Sequence, residues 1–344
     1  MGQYVGLDVS LKETKVHVLD EQGQRVWRGR CASTPEAIEA VIRKHAPQAV
    51  RIGLETGPLT TWLWQALTDV GLPMTCLDAR KAKAALNMRT NKTDANDAEG
   101  LAHLVRSGWY CEVRVKGREA MLVRSLLGAR TQLLGIVTEL SNQIRGVMKT
   151  FGLIVPKGGG RIFEANVRRL LEGEAAVAGV IVPLLEAWRA VRERTAVLDR
   201  QLLAAARASA TCRRLMTAPG IGAIVAAAFV AAVEKPENFR NSRAVGVWIG
   251  LTPRHYQSGE VDYDGHISRR GDARLRALLY EAAVSILTRV QSESTLRRWA
   301  LALKTQVGFK RAAVALARKL AVILHAMWKT GTDFDPRAAV PAAA

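Results

Sequence analysis

The sequence predicts an α/β domain at the N-terminus, then a long helical segment, then a mainly α-helical C-terminal domain. Three observations predict it. Residues 4–9 (YVGLDV) and 15–19 (KVHVL) alternate with β-branched residues, as strands with one buried face do. From Arg118 onward apolar residues recur at spacings of three and four, the period of a packed helix. After Ala210 the chain turns compact, with a glycine turn and an alanine-rich run. The boundaries read from these changes are 1–112, 113–207 and 208–332, with a disordered tail at 333–344.

In the first domain the turn Asp20-Glu21-Gln22-Gly23 leads from the second strand to a third near Arg25–Cys31, completing an antiparallel meander. A helix follows over Thr34–His45, with Thr34 as N-cap and Pro35 at the first helical position. Then come a buried strand at Ala49–Leu54, a helix around Thr60–Val70, a strand near Met74–Leu77 and a helix from about Thr93 to Ser107. The order βββαβαβα is that of an RNase H-like domain. Trp62 and Trp64 are expected in its core.

In the second segment Leu126, Leu133, Val137, Leu140, Ile144 and Val147 form one apolar seam, and Leu184, Trp188, Val191, Leu198 and Leu202 form another beyond the Pro156–Gly160 break. The seams either pack on each other or join two protomers. In the third, Ala218-Pro219-Gly220-Ile221-Gly222 resembles a helix-hairpin-helix turn, in which Gly220 and Gly222 would let backbone N–H groups approach a phosphate. The remainder reads as helical except for an irregular polar stretch at Arg254–Arg270.

With 50 Lys+Arg against 31 Asp+Glu, the net charge of +19 points to a polyanionic partner, nucleic acid first. The four cysteines lack the CxxC spacing of a zinc or redox site and read as buried free thiols. The opening residues lack a leader pattern, and the apolar stretch Ile224–Val233 is short of the ~20 residues that span a bilayer, so a soluble cytoplasmic protein without a membrane partner is expected.

Four acids carry the chemistry. Asp8 sits in a hydrophobic strand, where a carboxylate is costly unless paired or bound to a cation. Glu55 ends the next buried strand, at the edge where α/β sheets hold their sites. Asp94 and Asp97, three apart, share a helix face. Converging, the four would hold two Mg²⁺ ions ~4 Å apart, as an in-line phosphoryl displacement uses. Taken singly, Asp94 is also explained as a helix N-terminal charge and Glu55 as a turn residue. Ser258 alone reads as a turn serine before Gly259, but Arg254, Arg269, Arg270, Arg274 and Arg276 surround it in sequence, and guanidinium forks suit phosphate oxygens. His255 and His266 read as surface residues rather than bases, Trp248 as core and Tyr256 as either core or a base-stacking ring.

Together Gly6-Leu7-Asp8-Val9, Leu54-Glu55-Thr56-Gly57, Asn91-Lys92-Thr93-Asp94 with Asp97, Pro219-Gly220-Ile221-Gly222, Gly250-Leu251-Thr252-Pro253-Arg254, Ser258-Gly259 and Ile267-Ser268-Arg269-Arg270-Gly271 resemble the DEDD-type transposases of insertion sequences, whose N-terminal domain resembles the junction resolvase RuvC. The resemblance covers almost the whole chain. It implies a RuvC-like domain whose tetrad is Asp8, Glu55, Asp94 and Asp97, with Mg²⁺ (or Mn²⁺ in its place) as cofactor, and a nucleophilic serine at Ser258 that meets the metals in a composite site. It further implies a structured guide RNA, encoded by the element, that pairs with donor and target DNA. Because joining two duplexes needs at least two serines and the seams offer apolar contact, a dimer or tetramer on nucleic acid is expected, in the prokaryotic cytoplasm and associated with the nucleoid when active. The rival expectations are a Mg²⁺-dependent junction resolvase in which water attacks, and a non-catalytic nucleic-acid-binding protein.

Overall fold

The computed structural model describes residues 2–86, 94–259 and 261–338; of Asp94 and Ala95 the backbone alone is described. The chain divides into two compact units, Met1–Gly117 and Arg118–Ala344.

In the first unit, β1 (Gln3–Val9), β2 (Glu13–Leu19) and β3 (Arg25–Ala32) form the expected antiparallel meander. Helix α1 (Pro35–His45) comes next, its N-cap Thr34 accepting a hydrogen bond from the Ala37 N–H. Strand β4 (Ala49–Glu55) returns parallel to β1, α2 (Thr60–Asp69) crosses over, and β5 (Met74–Leu77) adds parallel to β4. Among the described residues the sheet order is β3-β2-β1-β4-β5, a mixed sheet consistent with an RNase H-like domain. One face is apolar: Val5, Leu7, Val16, Val18, Ile52 and Leu54 pack with Ile38, Ile42, Leu63 and Leu67 of α1 and α2. Strand alternation turns Gly6, Asp8, Gly53 and Glu55 to the other face.

That face is covered by α4 (Asp94–Ser107), which Leu101, Leu104 and Val105 anchor against Leu77 and Tyr4. A helix that the sequence does not predict, α3 (Ala79–Leu86), precedes it; Asp78 Oδ1 accepts from the N–H groups of Arg80 and Lys81 at 2.9 and 3.1 Å. Its Arg-Lys-Ala texture lacks an apolar period, so only this cap foreshadows it.

The second unit opens on α5 (Arg118–Thr150), α6 (Gly160–Leu170) and α7 (Ala175–Ala208). The two seams pack on each other: Ile144, Met148, Ile181, Leu185 and Trp188 are buried together with Phe163 and Val167 of α6. The fully buried Trp188 donates to Ser141 Oγ at 2.8 Å, with Phe163 tilted against it at 5.0 Å. By length and composition α5 is apolar enough to cross a membrane, a property not expected of it; it lies along α7 instead. Beyond α7, α8 (Ala210–Leu215) and α9 (Ala223–Val233) flank the Pro219–Gly222 turn, and α10 (Ser242–Trp248) leads to strands β6 (Pro253–Ser258) and β7 (Val261–Ile267). The fold closes with α11 (Ala273–Thr288), α12 (Thr295–Val307) and α13 (Phe309–Thr330) around the nearly all-buried α9.

Several expectations are corrected. Most of the described stretch over 254–270 is not irregular: β6 and β7 pair as an antiparallel hairpin, with Tyr256, Ser258, Val261 and Tyr263 on one face and His255, Asp262 and Asp264 on the other, and residues 268–270 beyond it lack regular structure. Trp62 is 49% exposed rather than core, since α2 buries Leu63 and Leu67 instead. Of the free thiols Cys76 and Cys212 are buried, but Cys31 is half-buried and Cys111 exposed. Burial pushes the Cys76 thiol up to about 12. Residues 333–338 are held in place, with Phe334 N–H bonded to Thr217 Oγ1 and Thr295 N–H to the Pro336 carbonyl; the rest of the expected tail, 339–344, lies outside the described residues.

Trp188→Ala removes the largest buried side chain and one hydrogen bond from the α5–α7 core. It is expected to cost about 3–5 kcal/mol in chemical denaturation. A loss below about 1 kcal/mol would contradict the packing described.

Candidate active site

The acids of the first unit are gathered by two glycines. A Cβ on Gly6 would lie 2.0 Å from the Ala98 carbonyl oxygen and 2.5 Å from the Ala102 nitrogen, so the backbone of α4 rests directly on β1. On Gly53, paired with Gly6 across the sheet, a Cβ would meet Val105 at 2.5 Å. Any larger residue lifts the helix.

Helix α4 runs antiparallel to β1. Near its C-terminus the Val105 carbonyl accepts from Arg51 at 3.3 Å, and Arg106 donates to Glu21 O in the β2–β3 turn at 3.0 Å, beside the start of β1. The first turn of α4, bearing Asp94 and Asp97, is therefore at the end of β1 where Asp8 sits. Asp8 and Glu55 come directly after the last described pair of the β1–β4 ladder, Leu7↔Leu54, and share a face. Asp8, Glu55 and Asp97 are all half-exposed. Asp8 is thus the penultimate residue of its strand, at the sheet's accessible edge, and not the enclosed mid-strand charge the sequence suggested.

Backbone placement brings the acids to one edge and one face, and their oxygens are hard donors of the kind Mg²⁺ takes. Among the described residues, however, no three His, Cys, Asp or Glu side chains are close enough to hold a metal, and the Asp94 side chain lies outside them. Under the same helix sits His17, 3% exposed on β2 opposite Gly6. Burial, opposed by Glu99, holds its imidazole below the ordinary range. No sequence signal singled it out, because a histidine in an alternating strand reads as an ordinary strand residue.

In the second unit Ser258 is exposed at the tip of the β6–β7 hairpin, paired with Val261. Gly259 has φ of +58°, which the tight turn requires, and no neighbouring atom crowds it. Ser258 shares its face with Tyr256 and Tyr263, whose half-exposed rings stand 5.5 Å apart. His255 is on the opposite face, held between Asp262 and Asp264 at 3.4 and 3.3 Å. It is not placed to take the serine's proton.

The arginines gather at the hairpin base, five residues from the serine, roughly 17 Å along an extended strand. Gly250 and Gly271 pack against it so tightly that a Cβ would lie 2.2 Å from Arg270 O and 2.0 Å from Trp248 O, respectively. Arg276 donates to Ile249 O at 2.8 Å and Arg270 O at 3.0 Å, Arg274 to Arg124 O at 3.2 Å, and Arg254 to Ser268 O at 3.2 Å. The guanidiniums of Arg254 and Arg276 brace the loop and that of Arg274 ties α11 to α5, whereas Arg269 and Arg270 are exposed. Asp272 caps α11, accepting from the N–H groups of Arg274 and Leu275 at 3.0 Å, and pairs with Arg124. Trp248 packs edge-on against Phe239, as expected of a core residue. Gly220, with φ of +73°, lies against α11, where a Cβ would meet Ala282 O at 2.8 Å; Gly222 is the exposed N-cap of α9.

A mixed sheet consistent with an RNase H-like domain, with acids at its strand ends, is joined in one chain to a helical unit whose exposed serine stands at the tip of a hairpin with arginines at its foot, an arrangement in keeping with enzymes that act on nucleic-acid strands. Two family profiles match: one for DEDD transposases over residues 5–152, and one described as "Transposase IS116/IS110/IS902 family" over residues 212–299. A putative transposase of Sinorhizobium fredii is 31% identical over 96% of this chain and 85% of its own. A probable family 20 transposase of Pseudomonas aeruginosa is 29% identical over 96% and 98%, and the transposase of the insertion sequence element IS1111A from Coxiella burnetii 28% over 94% and 88%. The chain belongs to the IS116/IS110/IS902 family of transposases, enzymes of DNA transposition. Domains of the DEDD type typically use a divalent metal.

The geometry makes two outcomes measurable. Gly6→Ala should displace α4 and lower the melting temperature by about 5 °C or more, with loss of transposition in a mating-out or plasmid assay; an unchanged melting curve would show that α4 does not rest on β1. Burial raises the Asp272 carboxyl, but the Leu275 and Arg274 N–H groups and the Arg124 guanidinium outweigh this and hold it below the usual carboxylate range. A depressed folded pKa gives stability that is present above the unfolded value near 3.9 and lost as pH falls through the folded value. Asp272→Asn should therefore flatten the acid limb of the stability profile, measured by thermal melting between about pH 2 and 5.

Proposed function

We propose that this transposase breaks and rejoins DNA through Ser258, with Asp8, Glu55, Asp94 and Asp97 holding Mg²⁺ and a structured RNA pairing with donor and target DNA. The observation that carries the reading is the exposed serine at the tip of a hairpin built by the second family segment. A nucleophile that must meet a DNA phosphate needs such an exposed position. The acid edge supports the other half: two strand ends and the first turn of α4 bring oxygen donors to one face.

In the first step Ser258 Oγ forms a bond to phosphorus, the phosphodiester's bond to one sugar oxygen breaks, and that oxygen leaves with a proton as a hydroxyl. In the second, the hydroxyl of another strand attacks the phosphoserine and Ser258 Oγ recovers a proton. The number of phosphoester bonds is unchanged, so no external energy source is required. Bound Mg²⁺ would offset charge on the phosphate and favour an ionised nucleophile. The exposed Arg269 and Arg270, together with the N–H groups at Gly220 and Gly222, are assigned to the flanking backbone; Arg254 and Arg276 keep the hairpin base in shape for that contact, and Arg274 secures α11 to α5 behind it. Joining two duplexes needs at least two serines, so a dimer or tetramer acts on the DNA. The compartment proposed is the prokaryotic cytoplasm.

Ser258→Ala should bind DNA and RNA as the wild type does but lose cleavage by more than about a thousandfold. Asp8→Asn should do the same with melting behaviour preserved. With a nicked substrate that blocks rejoining, the wild type should leave a denaturation-resistant adduct that peptide mapping places on Ser258. Wild-type cleavage by Ser258→Ala would instead assign the attack to water, as in a resolvase, and normal recombination by Asp8→Asn would remove the acids from the chemistry.

A further inference from the structure

The second unit contains a cavity of about 710 Å³ beside the hairpin base, within the ~300–1,000 Å³ range of small-ligand sites. Six cations line it, Arg243, Arg269, Lys310, Arg311, Arg318 and Lys319, with no Asp or Glu among the described lining residues. Apolar groups share the walls, Ile267 of β7, Val314 and Val322 of α13, and the Trp299 indole of α12.

A solvated basic face does not account for this. Lys319 is only 7% exposed, its ammonium 5.4 Å from the Trp299 ring centre. Burial first, then Arg318 and Arg243, pull its pKa below the ordinary lysine range. The stem of Arg318 lies against Gly246, where a Cβ would be 3.1 Å from its Cγ, so only glycine there leaves room for it beside the cavity. Like charges assembled around an apolar hollow repel one another, and a multiply charged anion in their midst relieves that cost. The anion must also bring a planar apolar part to the Trp299 side.

A nucleotide has both. A base-paired nucleotide keeps its faces stacked and its base edge engaged, so a concave pocket of this size admits one that is unpaired. We propose that the pocket takes one unpaired nucleotide of the bound nucleic acid, its base beside Trp299 and its flanking phosphates on Arg243, Arg318 and Lys310. This rests on the nucleic-acid reading above and adds a single-strand subsite about one hairpin length from Ser258.

The test uses the full chain with fluorescein-labelled oligothymidine, oligouridine and a blunt DNA duplex, titrated at several salt concentrations. Arg243 and Lys310 are exposed, so Arg243→Ala/Lys310→Ala should fold normally. It should weaken single-strand binding at least about tenfold and lower its salt slope by about two, changing duplex binding less than twofold. Lys329→Ala, an exposed cation of α13 outside the pocket, should change neither. The oligomer that loses more affinity, DNA or RNA, identifies the strand that supplies the nucleotide. Ultraviolet crosslinking of bromouracil-substituted strands to the wild type should mark the peptide containing Trp299. Equal losses on single strand and duplex, or crosslinks confined to other peptides, would overturn the pocket while a Ser258 adduct left the recombinase reading standing. Failure of the wild type to bind any of the three probes would overturn both.

Discussion

The seating of α4 on β1 at Gly6 is the contact on which the first unit depends. Two backbones meet there without a side chain between them, and the consequences are geometric. The helix lies low enough for Leu101, Leu104 and Val105 to close the second core of the sheet, and its first turn is carried to the strand ends that bear Asp8 and Glu55. A helix held a methyl group higher would still bury apolar surface, but its acids would stand off from the sheet. Stability and chemistry therefore draw on the same approach.

The second unit solves a similar problem differently. Gly250 and Gly271 let two loop segments cross at the hairpin base, and Arg276 clamps the crossing by donating to the Ile249 and Arg270 carbonyls. Arg269 holds a left-handed φ of +52° beside this crossing, a strained conformation for a non-glycine residue that tight packing sustains. The result is an exposed two-stranded projection on a rigid base, which isolated hairpins do not achieve alone. The serine is thus carried out from the surface while the positive charge stays at the foot.

The distribution of charge reflects that division. Part of the basic charge of the second unit is gathered rather than scattered: it collects at the hairpin foot and in the neighbouring cavity, where Lys319 is kept under cover with Trp299. Such a concentration raises the local concentration of polyanions and would be destabilising without one.

The sequence by itself determined the first unit's element order apart from α3, because strand alternation and helix caps such as Thr34 and Pro35 are local properties, and it supplied the acids and glycine motifs that resemble the transposase family. It also determined the helical periods of α5 and α7. Only the tertiary structure decided what those periods pack against: the seams meet each other around α6, since Trp188 reaches Ser141 across the helix pair. The hairpin at 253–267 was not legible, as both its faces are exposed and the alternation around Val261-Asp262-Tyr263-Asp264 is too short to mark a buried face. The cavity was equally hidden. Its cations come from α10, the hairpin foot and α13, segments far apart in the chain, and only folding gives them a common neighbour. Nor did the chain reveal that Arg276 braces a loop and Arg274 ties α11 to α5 while Arg269 and Arg270 face solvent; nearness in sequence to Ser258 is not nearness in space when a seven-residue strand intervenes.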